Sequence, residues 1–196
     1  IASEKAGILK NNSLPLIAPQ NDKVLKVIDD RCRDLGLKPI HVADRYSWGK
    51  TESDIDGQSF YFSDSDCQDE FRIPLLGKCQ LENAGVAIAT AKLLDKMGTK
   101  IAHDAVKEGL RSVNWPGRLE VISKEPLLVV DGAHNAYSIE LLSSALREYF
   151  VFDNIIIVIG VAIDKDLPNI VNRLVSLNPK VVATQSRHPR AERAEE

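Results

Sequence analysis

Leu127-Leu128-Val129-Val130-Asp131-Gly132-Ala133-His134-Asn135 is the stretch on which the fold turns. Four apolar residues in a row predict a fully buried strand; an acid, a glycine turn, a histidine and a helix-capping asparagine follow. In an open parallel α/β sheet, ligands lie just beyond the carboxyl ends of strands, where Asp131 and His134 stand. A buried apolar run ending in Asp-Gly is also how a purely structural strand-to-helix turn reads. Downstream the pattern is regular. A helix near Tyr137–Tyr149 leads to a strand near Ile155–Ile159, then a helix near Leu167–Leu177 and a strand at Lys180–Ala183. That βαβαβ order implies an α/β fold with a parallel sheet and right-handed crossovers, half of a doubly wound domain. The charged tail after Arg190 is expected to fray.

Upstream, Trp115-Pro116-Gly117 breaks the pattern, because proline removes a backbone donor and glycine frees the next turn. It marks the expected boundary between a domain over 1–116 and another over 117–196. Within the first, Ser3 to Ile8 reads as a short helix stopped by Gly7. Pro15–Ala18 and Pro39–Val42 read as short strands around a helix that Asn21-Asp22 caps and Gly36 ends. Asp44 to Leu76 is rich in Ser, Asp and Gly and reads as short antiparallel strands, with Phe60-Tyr61-Phe62 the clearest. Leu81 to Met97 is the plainest helix, and a shorter one covers Ile101 to Leu110.

The 196 residues suffice for one or two domains with a real core, and 44% hydrophobic against 27% charged residues is ordinary globular composition. A net charge of -3 gives no electrostatic case for nucleic acid or an anionic membrane. The apolar runs are far too short to span a bilayer, and no signal-peptide pattern opens the chain. Three dispersed cysteines suit reduced thiols in the cytoplasm better than a disulfide framework or a zinc site. The chain opens on Ile1 and runs straight into a dense motif, which reads as part of a longer protein.

Trp48-Gly49-Lys50-Thr51 carries the ending of a phosphate-binding P-loop, but Asp44 stands where the first glycine of that loop is required, and no helix-forming run follows. It is a decoy. The four histidines are scattered, without metal-ligand spacing. Individually, Lys5 in a Glu-Lys-Ala-Gly-Ile turn reads as a helix-end lysine serving the macrodipole, and Arg118 after Pro116-Gly117 as a solvated arginine.

The series is more specific than its members. It runs Lys5-Ala6-Gly7-Ile8; Leu76-Gly77 with Gln80 and Asn83-Ala84; Pro116-Gly117-Arg118-Leu119-Glu120; Asp131-Gly132-Ala133-His134-Asn135; Asp164-Lys165-Asp166; and Pro189-Arg190-Ala191. It resembles the folylpolyglutamate synthase and dihydrofolate synthase family, a branch of the Mur-type ligases, over essentially the whole chain. The resemblance implies the rear part of a central ATPase domain followed by the front of a Rossmann-like glutamate-ligase domain. The family's P-loop would precede Ile1, so the 196 residues alone are expected to show no ligase turnover.

What the resemblance implies is an ATP-dependent ligase of folate biosynthesis and one-carbon metabolism, with ATP and Mg²⁺, that joins glutamate to a folate or dihydropteroate carboxylate through an acyl phosphate. A monomeric, cytoplasmic enzyme is expected. Lys5 matches a lysine that can be carbamylated; a carbamate supplies two anionic oxygens of the kind Mg²⁺ prefers, whereas an ammonium supplies none. Arg118 matches an arginine that reaches ATP phosphates, and its planar fork suits bidentate contact. Asp131 and His134 match positions approaching the nucleotide, and Asn83 an adenine-side amide. Lys165 and Arg190 match positions nearer the amino-acid pocket. Cys79 replaces a common histidine, which leaves the adenine contact open, and Ala136 a common proline. A cell-wall Mur ligase acting on a UDP-muramyl precursor, and a non-catalytic nucleotide-binding Rossmann-like module, are the competing readings.

Overall fold

The computed structural model of the protein describes residues 1–194. They form nine strands and six α-helices, and no helix among them is long and apolar enough to cross a membrane. The chain divides into two compact units. One comprises Ile1–Glu52, Gln58–Pro74 and Lys78–Val113; the other takes in Ser53–Gly57, Leu75–Gly77 and the chain from Asn114 onward. The second unit therefore starts just before Trp115-Pro116-Gly117 and also gathers in a hairpin tip and a three-residue connector.

In the first unit, α1 (Ala2–Ala6) ends at Gly7, where a Cβ would meet the Glu4 carbonyl oxygen tightly, at 3.0 Å. β1 (Leu16–Ile17) pairs in parallel with β2 (Ile40–His41). Between them runs α2 (Asp22–Asp34), capped by Asn21, whose side chain accepts from the Val24 amide at 3.1 Å. β3 (Ser47–Asp54), β4 (Gly57–Ser63) and β5 (Gln68–Ile73) form a three-stranded sheet in that order. β4 carries the core, because its alternation puts Phe60 and Phe62 inside, where Phe60 stacks on Phe71 at 5.8 Å and Phe62 meets Phe71 edge-on. α3 (Lys78–Leu94) begins three residues earlier than the sequence suggests and packs Leu81, Ile88 and Ala89 inward. A π-type turn ends it at Gly98, whose φ of 98° suits glycine; α4 (His103–Arg111) follows.

In the second unit, β6 (Glu120–Lys124) and β7 (Leu127–Val130) form an antiparallel pair. β8 (Ile156–Ile159) and β9 (Lys180–Ala183) form a parallel pair whose crossover is α6 (Leu167–Leu174) and a short 3₁₀ turn. α5 (Ala136–Tyr149) joins the two pairs in sequence. Leu76, Leu119 and Phe150 are buried together, with Val121 and Val129 packed on them; Ile139, Ile170 and Leu174 form a second cluster against Ile157 and Ile159.

Three expectations need correction here. β7 is not a fully buried strand: Val129 faces the Leu119 cluster, but Leu128 remains 52% exposed. A continuous apolar run does not by itself distinguish burial on both faces from burial on one. Nor does β7 join β8 and β9 in one parallel sheet; among the described residues its ladder partner is β6, a strand the sequence reading passed over. The tail is also tied down further than expected. Ala191 bridges Ala162, and the Glu192 amide donates to the Val161 carbonyl at 2.9 Å; residues 195–196 lie outside the described residues.

Candidate functional site

The bend Gly117-Arg118-Leu119 and the turn Asp131-Gly132-Ala133 are bound to each other at the end of the β6–β7 pair. The Gly132 amide donates to the Gly117 carbonyl at 2.9 Å. One Asp131 carboxylate oxygen accepts from the Leu119 amide at 2.9 Å, and the other accepts from the Ala133 amide at 2.7 Å. Glu120 turns back and accepts from the Gly117 amide at 2.7 Å. These contacts hold an unusual backbone: Gly117 has φ 71° and Leu119, a residue with a Cβ, has φ 48°. A left-handed leucine costs about 1–2 kcal/mol. The carboxylate on its amide and the burial of its side chain beside Leu76 and Phe150 offset that cost.

The result is an exposed arginine placed over a bare backbone. A Cβ built on Gly132 would lie 3.1 Å from Arg118 Nη1, so the guanidinium packs closely on the bare glycine backbone. His134 is exposed beside it, and its Nδ1 lies 2.8 Å from the Gly132 carbonyl oxygen. A carbonyl only accepts, so Nδ1 carries the hydrogen and the neutral ring offers Nε2 as an acceptor. The next residue starts α5. Asn135 accepts from the Ser138 amide at 2.9 Å, while Ser138 Oγ accepts from the amides of both His134 and Asn135 at 3.1 Å, a reciprocal capping box. The cap thereby fixes the backbone that carries the histidine.

Arg118, Asp131 and His134 are thus brought together, but not in equivalent roles. Asp131 faces the backbone with both oxygens, so its first function is to hold the bend. A carboxylate keeps lone pairs beyond two hydrogen bonds, and a hydroxyl ligand remains compatible with it.

At the carboxyl ends of β8 and β9 lies a cleft of about 520 Å³ lined by Gly160, Ala162, Thr184, Ser186, His188 and Arg190, among others. Gly160 allows the two chains to approach, since a Cβ there would meet the Thr184 carbonyl oxygen at 3.0 Å. His188 Nδ1 accepts from the Arg190 amide at 3.1 Å, which leaves Nε2–H pointing away from that bond. Arg190 lines this cleft, whereas Lys165 does not. The Lys165 ammonium is 2.9 Å from Asp164, and its hydrogen bond holds the Asp164 carboxyl below the usual carboxylate range.

Lys5 and Asn83 belong to the first unit. Lys5 is exposed on α1 and makes no ion pair among the described residues. Asn83 is exposed in the early turns of α3, where its Nδ2 donates to Gln80 Oε1 at 3.2 Å and leaves its carbonyl oxygen open to a ligand. Cys79 is half-buried; burial first, then the charge of Glu82, pushes its thiol up, so it stays a neutral thiol. The Gly49-Lys50-Thr51 run lies inside β3, extended, with no loop to cradle a phosphate. Gly49 serves packing, because a Cβ there would lie 2.8 Å from the Tyr61 ring. No group of three or more His, Cys, Asp or Glu side chains among the described residues could hold a metal ion.

The sequence reading missed Glu120, Leu119, Thr184 and His188 as site-forming residues. Glu120 stood inside a quoted motif, and its spacing of three from Gly117 was the available signal.

The arginine after the Pro-Gly turn and the strand-end Asp-Gly-Ala-His thus form one locally braced surface of the α/β second unit, with the guanidinium exposed. Residues 117–196 match the family described as Mur ligase, glutamate ligase domain. Over its full length the chain is similar to folate-type ligases. The dihydrofolate synthase/folylpolyglutamate synthase of Bacillus subtilis is 29% identical over 100% of this chain and 46% of that protein. The structure of the Mycobacterium tuberculosis folylpolyglutamate synthase complexed with ADP matches with a TM-score of 0.88, at 28% identity, over 99% of this chain and 44% of that one. A folylpolyglutamate synthase complex with AMPPCP and folate matches with a TM-score of 0.82, at 31% identity, over 90% of this chain and 43% of that one. The chain spans less than half the length of these relatives.

Proposed function

We propose that this chain is part of an ATP-dependent carboxylate–amine ligase that adds glutamate to a folate or dihydropteroate carboxylate. Residues 1–116 are the rear of its ATP-binding central domain, and 117–196 the front of its glutamate-ligase domain. The observation that carries this reading is the Arg118 guanidinium resting on Gly132 beside His134, at the meeting point of the two most specific motifs. Relatives whose structures hold ADP, or AMPPCP with folate, support ATP and folate as its substrates.

In the reaction, an oxygen of the acceptor carboxylate attacks the γ-phosphorus, ADP leaves, and an acyl phosphate forms. The glutamate amine then attacks the acyl carbon, loses a proton, and the tetrahedral adduct expels inorganic phosphate to leave the amide. The first step moves negative charge among phosphoryl oxygens and the second builds it on the acyl oxygen before phosphate leaves, so catalysis depends on positioned cations and on holding both substrates in line. Arg118 supplies a bidentate cation for the phosphates from a bend that cannot relax. His134 offers Nε2 to a ribose hydroxyl or the base, and Asn83, oriented by Gln80, offers its amide to adenine. Arg190 faces the cleft that suits the carboxylates of glutamate. Mg²⁺ would accompany ATP, and a carbamate on Lys5 would offer it anionic oxygens. The enzyme works in the cytoplasm, and the 196 residues alone do not turn over.

Mass spectrometry of products tests the assignment. The full-length polypeptide containing this chain is incubated with ATP, glutamate and, separately, dihydropteroate, a reduced folate monoglutamate and a UDP-muramyl precursor. Addition of one or more glutamates to either pterin substrate is expected. Addition to the muramyl precursor alone would overturn the folate reading.

A further inference from the structure

Two carboxylates flank Arg118 in the structure, and neither pairs with it. Glu120 spends its reach on the Gly117 amide at 2.7 Å, and Asp131 on the amides of Leu119 and Ala133 at 2.9 and 2.7 Å. The amides on both sides of Arg118 are therefore bonded to anions, and the Gly117 carbonyl is closed by the Gly132 amide at 2.9 Å. Residue 118 sits between two left-handed neighbours, Gly117 and Leu119, and Leu119 is anchored in the core beside Leu76 and Phe150. The backbone is fixed from each direction while the guanidinium makes no ion pair among the described residues. An arginine beside acids ordinarily forms bidentate pairs with them. Here backbone donors occupy the acids, and the positive charge is left for an incoming anion.

We propose that Glu120 is a positioning residue for Arg118: its carboxylate pins the Gly117 amide and sets where the guanidinium is presented to the nucleotide phosphates. Asp131 does the same from the other side, but Asp131 also stands where a ligand hydroxyl can reach it, so Glu120 gives the cleaner test. Glu120 touches no substrate in this scheme and acts only through the bend. The inference rests on the role of Arg118 proposed above.

The test is a double-substitution cycle in the full-length polypeptide, reading kcat and KM for ATP from glutamate-dependent ADP release. Glu120→Ala is expected to lower kcat/KM for ATP by about ten- to a hundred-fold, the scale of a misplaced catalytic group. Glu120→Gln keeps an acceptor oxygen for the Gly117 amide and is expected to stay within about threefold of the parent. In an Arg118→Ala background, Glu120→Ala is expected to change kcat/KM by less than about twofold, because nothing is left to position. A merely structural glutamate would lower activity by the same factor in both backgrounds, and that result overturns the proposal. If Glu120→Ala does not fold, Glu120→Asp, which keeps the charge and shortens the reach, carries the same expectation; failure of both to fold assigns Glu120 to stability alone. An Arg118→Ala variant with undiminished kcat/KM overturns the nucleotide role of Arg118 itself, an outcome separate from multiplicative losses.

Discussion

Substituting Gly132 by alanine probes the arginine's placement with little disturbance of the fold. Gly132 is not among the glycines with positive φ, so an alanine backbone is unstrained there. Restricting the unfolded chain favours the substitution by about 0.4–1 kcal/mol. Against this, the new methyl meets Arg118 Nη1 at 3.1 Å and the Gly117 carbonyl oxygen at 3.5 Å. The second distance is ordinary contact; the first requires the guanidinium to retreat by a few tenths of an ångström, which the far end of an exposed arginine can do. Net stability should therefore stay within about 1 kcal/mol of the parent. Function is less tolerant, because a displacement of about 1 Å at a catalytic group costs on the order of a hundredfold, and a few tenths about three- to tenfold. Urea unfolding and calorimetric titration of MgADP into the full-length polypeptide give the two readings. A loss of stability above about 2 kcal/mol would show that the backbone, not the side chain, yields to the methyl. Unchanged ADP affinity would refute the placement of Arg118 as the binding geometry.

Three further outcomes are expected. Ser138→Ala removes the acceptor shared by the His134 and Asn135 amides and should destabilise α5 by about 1 kcal/mol in urea unfolding, whereas an unchanged midpoint would mean that water replaces the box at no cost. In the first unit, Lys92 Nζ lies 2.6 Å from Asp64, and the hydrogen bond from Lys92, followed by the Asp66 amide, holds the Asp64 carboxyl well below its usual range. A depressed acid contributes stability above its unfolded value of 3.8, and that contribution is lost as pH falls below it. Burial pulls Lys92 down, but the hydrogen bond and charge of Asp64 outweigh it, so the ammonium persists throughout this range. Asp64→Asn should therefore cost about 1–3 kcal/mol at pH 7 and flatten the acid limb of a stability–pH curve; an unaltered limb would contradict the pairing. Lys5→Ala should abolish turnover and regain part of it with excess acetate, because a free carboxylate replaces the carbamate. Failure of any short-chain acid to restore activity would count against carbamylation.

Much of this fold was legible because local signals and burial agree in it. Asn135 before α5, Asn21 before α2 and the Gly98 stop all read correctly from residue type, since capping and left-handed turns are local chemistry. The companionship of Arg118 with Asp131 and His134 came only from motif order along the chain, and the contacts that create it span from Leu119 to Asp131. The strand over Glu120–Lys124 was passed over because Glu-Val-Ile-Ser-Lys is short and half polar; pairing with β7 makes it a strand. Short antiparallel strands were expected across Asp44–Leu76, but the bounds of β3 were not legible, because Ser47–Asp54 is mostly polar and carries a misleading Gly-Lys-Thr. Leu119 could not be read as left-handed, because leucine disfavours that conformation and only the carboxylate of Asp131 and a buried pocket hold it there.

The central claim is that the Arg118 wall serves phosphoryl transfer to a folate-type carboxylate. Glutamate-dependent ADP release by the full-length polypeptide, with and without Arg118→Ala, tests it most directly. Release is expected to require both a pterin carboxylate and glutamate, and to slow by about a hundredfold or more in the variant. Release indifferent to glutamate, or an Arg118→Ala variant as fast as its parent, would contradict it.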